Sequence, residues 1–236
     1  MQAHRFTTLG ITIALITVAA AASAQATLVP FTENFTSGPA DWRQANGTTD
    51  LAWNAAGGPA GSSYASAAFN FQAQAPDAQS LVIRAHDEYG SSGGAFVGNW
   101  LADGVDGFSV WVRHNTPMPL TYFVRYASPV NFPGAASVQF VPVLPNTWTQ
   151  LNFNIAFGDP NLTLEGPPTP AFFNSVFSNI GHVQVGVVTP AALAGSATNY
   201  AFDIDQPSIV PEPASIALVG LASCGILLRR RRNAGR

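Results

Sequence analysis

Lysine is absent from this 236-residue chain, cysteine occurs once, and only 10% of the residues are charged. Each shortage excludes something. Between Thr27 and Val210 four arginines stand against twelve acidic residues, an excess of eight negative charges. Nucleic acid and anionic membranes are bound by clustered cations that displace counterions, so a surface of this sign argues against both and leaves calcium and neutral glycans open. The one cysteine, Cys224, lies in an apolar run near the C-terminus, so the central segment has no disulfide and its core must hold it together alone. At 47% hydrophobic residues the chain can build such a core, and few charges favour an unfolded state.

Long apolar runs occur only at the two ends. Arg5 precedes the run Leu9 to Ala22, and the small residues of "AAASAQA" follow. That order is a secretory signal peptide, with cleavage after Ala24 or Ala26 fitting equally well, so residues 1–26 are set aside from the fold. The second run, Ala214 to Leu228, is uncharged and followed by Arg229, Arg230, Arg231 and Arg232. As a helix its fifteen residues reach only about 22 Å, short of a hydrocarbon core of ~30 Å. The arginines are costly to translocate and hold the C-terminus in the cytoplasm, which leaves 27–210 outside as one domain.

That domain reads as strands. In "DGFSVWVRH", Phe108, Val110 and Val112 share one face, with Trp111 and Arg113 opposite. "LTYFVRYA" separates Leu120, Tyr122, Val124 and Tyr126 from Phe123 and Arg125, and "TWTQLNFNI" separates Leu151, Phe153 and Ile155 from Trp148, Gln150 and Asn152. "HVQVGVV" alternates on valine, and "NYAFDIDQPSI" turns Tyr200, Phe202 and Ile204 inward with Asp203 and Asp205 facing out. Further strands are expected over Phe31 to Phe35, Ser63 to Phe71, Leu81 to Ala85 and Ser137 to Val141. So many half-buried strands, with one helix-period segment in "PAFFNSVFSNI", specify an all-β antiparallel β-sandwich, jelly-roll-like, with a short helix capping one end.

The tripeptide Pro211, Glu212, Pro213, the short span and the arginine cluster, together with the N-terminal signal, resemble the PEP-CTERM sorting signal of Gram-negative envelope proteins. The resemblance covers residues 211–236 and implies recognition by a membrane-embedded exosortase, cutting near the tripeptide, and delivery to the cell surface or the extracellular polymer. A marginal span is easily handed on, which makes it a temporary hold; a permanent tail anchor is the alternative. The central domain, through "FTENFTSGPADW", "DGFSVWVRH", "TWTQLNFNI" and "FDIDQPSI", resembles galactose-binding-like jelly rolls, an architecture of carbohydrate-binding modules. That resemblance implies a structural calcium where the first and last strands meet, at Glu33 and Asp205, two carboxylates that loop carbonyls would supplement.

No motif supports catalysis. His86, Asp87 and Glu88 are adjacent but neighbours on a strand face opposite ways, and His114 and His182 stand alone as polar surface residues. The outward faces gather Trp111, Arg113, Phe123, Arg125, Trp148, Gln150 and Asn152, aromatic rings for stacking on sugars with guanidinium and amide groups for their hydroxyls, which suits a neutral polysaccharide. The expectation is an exported, non-enzymatic polysaccharide-binding protein; the alternative is a structural matrix protein with no discrete ligand site.

Overall fold

The computed structural model describes residues 29–211. The signal peptide, Glu212 and Pro213, the run Ala214 to Leu228 and Arg229 to Arg232 lie outside the described residues, and of Pro211 only the backbone is described. Among the described residues no helix is long and apolar enough to cross a membrane.

Among the described residues twelve strands form two antiparallel sheets. The first runs β3 (Ala52–Asn54), β4 (Tyr64–Phe69), β12 (Tyr200–Pro211), β6 (Val105–His114) and β9 (Thr149–Asn154), with β1 (Phe31–Thr32) also paired to β12. The second runs β10 (Leu162–Leu164), β8 (Gly134–Val143), β7 (Leu120–Ala127), β11 (His182–Val188), β5 (Gln79–His86) and β2 (Arg43–Gln44). Period-two alternation puts one face of each inward. Phe108, Val110, Leu151, Phe153, Phe202 and Ile204 of the first sheet meet Tyr122, Val124, Tyr126, Val183, Val185 and Val187 of the second in one buried cluster. Burying each such side chain is worth about 1.5–3 kcal/mol, which accounts for a domain that stands without disulfides.

The helix α1 (Pro170–Phe177) starts where Thr169 Oγ1 accepts the Phe172 N–H at 3.2 Å and Pro170 presets the first turn. Its Phe173, Val176 and Phe177 are buried. Ile180, expected on the same helical face, is buried beyond the helix end, bridged to Gly98. The first strand is shorter than expected. Glu33 Oε1 accepts the Phe35 N–H at 2.8 Å, and Phe35 sits at φ +48°, so the chain turns away from β12 after Glu33.

Surface expectations fail on the first sheet. His114 is not a surface residue; it is 1% exposed, its Nε2 3.0 Å from the Val143 carbonyl and its Nδ1 2.8 Å from Thr116 Oγ1. Asp203 and Asp205 do point away from the core, but both are buried, for a reason that lies in a loop over the first sheet.

Candidate functional site

The seven residues read as a sugar-binding surface divide between the two outer faces of the sandwich. Register places Trp111 beside Gln150 and Ser109 beside Asn152 on the first sheet, next to Arg113 and Trp148. Phe123 and Arg125 lie on the second sheet. Alternation gives the side of a sheet a residue faces, but not which of two sheets it belongs to, so one list covered two surfaces.

On the first sheet the polar groups are spent on the fold. Arg113 Nε donates to Asp203 Oδ2 at 2.7 Å, and Ser66 Oγ donates to Asp203 Oδ1 at 2.6 Å. The guanidinium lies against the edge-to-face pair of Tyr64 and Trp148, 5.0 and 4.6 Å from their centroids. Arg113 Nη1 and Trp148 Nε1 both donate to the Gly57 carbonyl, at 3.3 and 2.9 Å. The glycine-rich loop between β3 and β4 is thereby drawn down onto the sheet. A Cβ on Gly58 would come within 3.1 Å of Asp205 Oδ2, so only glycine lets the loop approach this closely. This roof buries Asp203 and Asp205. Of the five candidate residues on this sheet, Trp111 stays half-buried with Gln150 and Asn152 exposed beside it.

Under the roof, Asp205 accepts from Ser62 Oγ at 2.5 Å and from the Gln206 N–H at 2.8 Å. Burial pushes its carboxyl above the usual carboxylate range, and the nearby charge of Glu33 pushes further. The Glu33 N–H donates to the Pro207 carbonyl at 3.0 Å, which ties β1 to the irregular stretch of β12 that carries Asp205. Asp205 and Glu33, brought to one junction of β1 and β12, are the two carboxylates that a hard oxygen-seeking cation would draw on there.

The second outer face is built differently. Across β2, β5, β11 and β7 the register sets Arg43, Arg84, Gln184 and Arg125 in one row, with His86 and His182 in the next. Arg125 saturates all five of its N–H donors. Nε and Nη2 hold both oxygens of Glu165, Nη2 also reaches the Asn131 carbonyl at 2.9 Å, and Nη1 donates to Asn131 Oδ1 at 2.7 Å and Gln184 Oε1 at 2.9 Å. Phe123 points outward but is 1% exposed, lying across Gly186, where a Cβ would sit 2.5 Å from its ring.

Gln184 passes this order on. Its oxygen accepts the Arg125 Nη1 hydrogen bond, so its amide nitrogen donates, at 2.6 Å, to His86 Nε2. His86 therefore carries its proton on Nδ1 and donates to Glu88 Oε1 at 2.7 Å; His182 Nε2 donates to Glu88 Oε2 at 2.9 Å. Glu88 reaches both rings because β5 ends at His86 and residues Asp87–Tyr89 form a 3-10 turn. On a continuing strand only Asp87 would have faced the other way; the turn that ends β5 instead folds Glu88 back beside both rings. His182, expected alone at the surface, is 4% exposed and stacked on His86 at 3.7 Å between centroids. Tyr89 stacks on the other side of His86 at 4.8 Å, and the Arg43 guanidinium covers Tyr89 at 3.9 Å.

Burial holds His86 down to about 4 from 6.5, and burial likewise lowers His182, so both rings are neutral at neutral pH. For Glu88 burial pulls upward, but the hydrogen bond from His86, its own backbone and the neighbouring rings outweigh it and leave the carboxyl below its usual range. The ligand atoms of His86, Glu88 and His182 lie within 4.8 Å of one another, the donor set of a transition-metal site. Two features oppose that chemistry. Nearly parallel rings, 10° apart, aim their lone pairs side by side rather than at one point, and the chain from Arg125 places a proton on the nitrogen that would have to ligate. The trio is a carboxylate bridge between two oriented imidazoles.

The alternation in "HVQVGVV" that turned its valines inward also turned His182 and Gln184 outward together, and this was the sequence signal for the face. What it lacked was the pairing of β11 with β5 and β7 that brings His86, Arg84 and Arg125 alongside.

Residues 210–232 match the family model of the PEP-CTERM protein-sorting motif, so the chain carries a C-terminal sorting signal of exported, exosortase-sorted proteins. No curated protein sequence matches the chain. Solved structures with a similar fold include the CBM22-1–GH10 modules of a Clostridium thermocellum endo-1,4-β-D-xylanase complexed with xylohexaose, at 17% identity and TM-score 0.45 over 80% of this chain and 30% of that one. An exo-β-agarase is similar at 12% identity and TM-score 0.44, over 80% of this chain and 24% of that one. The L4b domain of human laminin α-2 gives 11% identity and TM-score 0.36, over 54% of this chain and 77% of that one. The chain thus spans less than a third of the length of the two enzymes.

Proposed function

We propose that this protein is held briefly in the inner membrane of a Gram-negative bacterium, processed by signal peptidase and an exosortase, and displayed at the surface or in the extracellular polymer. There its sandwich binds polysaccharide, without catalysis, along the outer face of the second sheet. The observation that carries the binding reading is the ordered chain from Glu165 through Arg125, Gln184 and His86 to Glu88 and His182. A sugar hydroxyl both donates and accepts, and the chain meets solvent at the half-exposed Glu88 carboxylate, whose direction is fixed by the two imidazoles before a ligand arrives, so that it takes a hydroxyl at low entropic cost. The first sheet's Arg113 and Trp148 are spent on holding a loop, and among its candidates Trp111, Gln150 and Asn152 remain as a subsidiary surface. Calcium held by Glu33 and Asp205 is proposed as a structural ion that stabilises the sandwich and takes no part in sugar contact.

Affinity electrophoresis through gels containing a panel of plant and bacterial polysaccharides tests the binding: selective, saturable retardation is expected, and free migration through every gel rejects it. Immunoblots of cells with and without the exosortase test the sorting; the tail should be lost only where the enzyme is present, and equal masses in both strains contradict it.

A second reading, a structural matrix protein with no discrete ligand site, is favoured by the exposed apolar side chains of Val130, Phe132, Phe140, Val141 and Leu144. It predicts concentration-dependent self-association in sedimentation and no retardation on any gel.

A further inference from the structure

Four arginines lie among the described residues, and three of them pair with carboxylates: Arg43 with Asp50, Arg113 with Asp203, Arg125 with Glu165. Arg84 has no such partner among the described residues. Its Nε donates to the Ala45 carbonyl at 2.8 Å, and neither terminal nitrogen meets an acceptor among the described residues. By the donor inventory of a guanidinium, four N–H groups are left over on a half-buried side chain at the middle of the outer row. Arg125, in the same row, has none left over. A half-buried charge without a counter-charge costs folding energy, and such departures from satisfied pairing are retained where a ligand completes them.

A second uncommitted group meets it. A Cβ added to Gly47, which sits at φ +70°, would lie 2.7 Å from Tyr89 Oη and 4.0 Å from Arg84 Cδ. The Tyr89 hydroxyl and the Arg84 side chain therefore converge on the bare backbone of the turn between β2 and β3. Tyr89 Oη has no hydrogen bond among the described residues, yet its ring is clamped between Arg43 and His86, so the hydroxyl is held in place rather than free.

We infer that Arg84 and the Tyr89 hydroxyl, above Gly47, form a seat for an oxyanion substituent of the bound polysaccharide, a uronate carboxylate or a sulfate ester. The inference rests on the second-sheet face being the polysaccharide site, and it changes the ligand class from the neutral glycan that composition favoured to one carrying acidic groups. The fork of terminal guanidinium N–H groups matches two oxyanion oxygens, and the phenol adds a third donor. The acidic excess of the domain opposes a dense polyanion, but charges farther apart than about 8 Å are largely screened at physiological salt. Recognition is then a local contact with one oxyanion at a time, which suits a sparsely acidic chain and differs from the counterion release that drives basic patches onto polyanions.

Titration calorimetry of the purified protein at about 0.15 M salt tests this, with oligogalacturonate, its methyl ester, lightly sulfated dextran and plain dextran as probes. One of the acidic probes should bind at least about tenfold more tightly than its uncharged counterpart, and whichever does so identifies carboxylate or sulfate as the substituent. Arg84→Met should erase that preference while leaving the weaker binding of the uncharged form, and Tyr89→Phe should reduce it. If Arg84→Met does not fold, the comparison of acid with ester on the native protein decides alone. Equal binding of charged and uncharged probes, or a preference that survives Arg84→Met in a folded variant, overturns the seat while polysaccharide binding stands. Binding of none of these probes, together with free migration through every polysaccharide gel, removes the underlying reading as well.

Discussion

Both outer faces of the sandwich carry an arginine that meets an acid, and the two arginines are used for opposite ends. Arg113 holds Asp203 below and the Gly57 carbonyl above, so its contacts close a loop over the sheet. Arg125 is saturated too, but by groups that lie along its own face, and its order continues through Gln184 into two histidines and the side chain of Glu88, which is 50% exposed. One arginine draws a loop over its sheet; the other starts a buried chain that reaches solvent at Glu88. Where the contacts run, to a loop over the sheet or along the sheet's own face, separates the two.

Removing Asp203 should have the largest effect. Asp203→Ala leaves Arg113 half-buried without its partner and releases the loop, for a loss of about 3 kcal/mol in urea unfolding. Polysaccharide retention at a temperature where the variant is folded should be unchanged. Calcium at a hundredfold excess over its dissociation constant should add about 2.7 kcal/mol to stability, seen as a rise in melting temperature that a chelator reverses and Asp205→Asn abolishes. Gln184→Leu breaks the chain on the other face. It strands Arg125 Nη1 and His86 Nε2, should cost about 2 kcal/mol, and should abolish retention on polysaccharide gels.

A graded effect follows from His86. Its folded-state value near 4 lies below the 6.5 of an unfolded chain, so the unfolded state binds the extra proton first. The stability owed to neutral His86 is complete above about pH 6.5, declines as pH falls through that window, and is gone below about 4. Protonation on Nε2 also sets a donor against the Gln184 amide, so polysaccharide binding should weaken over the same range. His86→Gln should flatten the slope of melting temperature against pH. Trp111→Ala is expected to do least, within about 0.5 kcal/mol in stability and with retention intact; a loss of retention would move the binding site to the first sheet.

The sandwich was legible because alternation is a local property. The inward residues of "DGFSVWVRH", "LTYFVRYA" and "HVQVGVV" are buried as expected, although outward Phe123, His182 and Gln184 are buried with them, and α1 starts at the proline that the helical spacing followed. β2, β3 and β10, of two or three residues each, offered no period to read and exist because a longer neighbour lends them its edge. The candidate site was half legible. Arg125 was singled out from its own strand, whereas His86, Glu88, His182 and Gln184 required the knowledge that β11 lies between β5 and β7, a pairing between segments almost a hundred residues apart that no local pattern encodes. Asp205 was read as outward and is outward; its burial comes from a glycine-rich loop whose resting place is set by Arg113 and Trp148.

Hydrogen exchange of the purified protein, with and without a retained polysaccharide, tests the contrast between the faces most directly. Ligand-dependent protection is predicted for the turn Asp87–Tyr89, the segment around Gly47 and the adjoining amides of β5, β7 and β11, with β6, β9 and β12 unchanged. Protection centred on Trp111, Gln150 and Asn152, with the second sheet unaltered, would contradict the account.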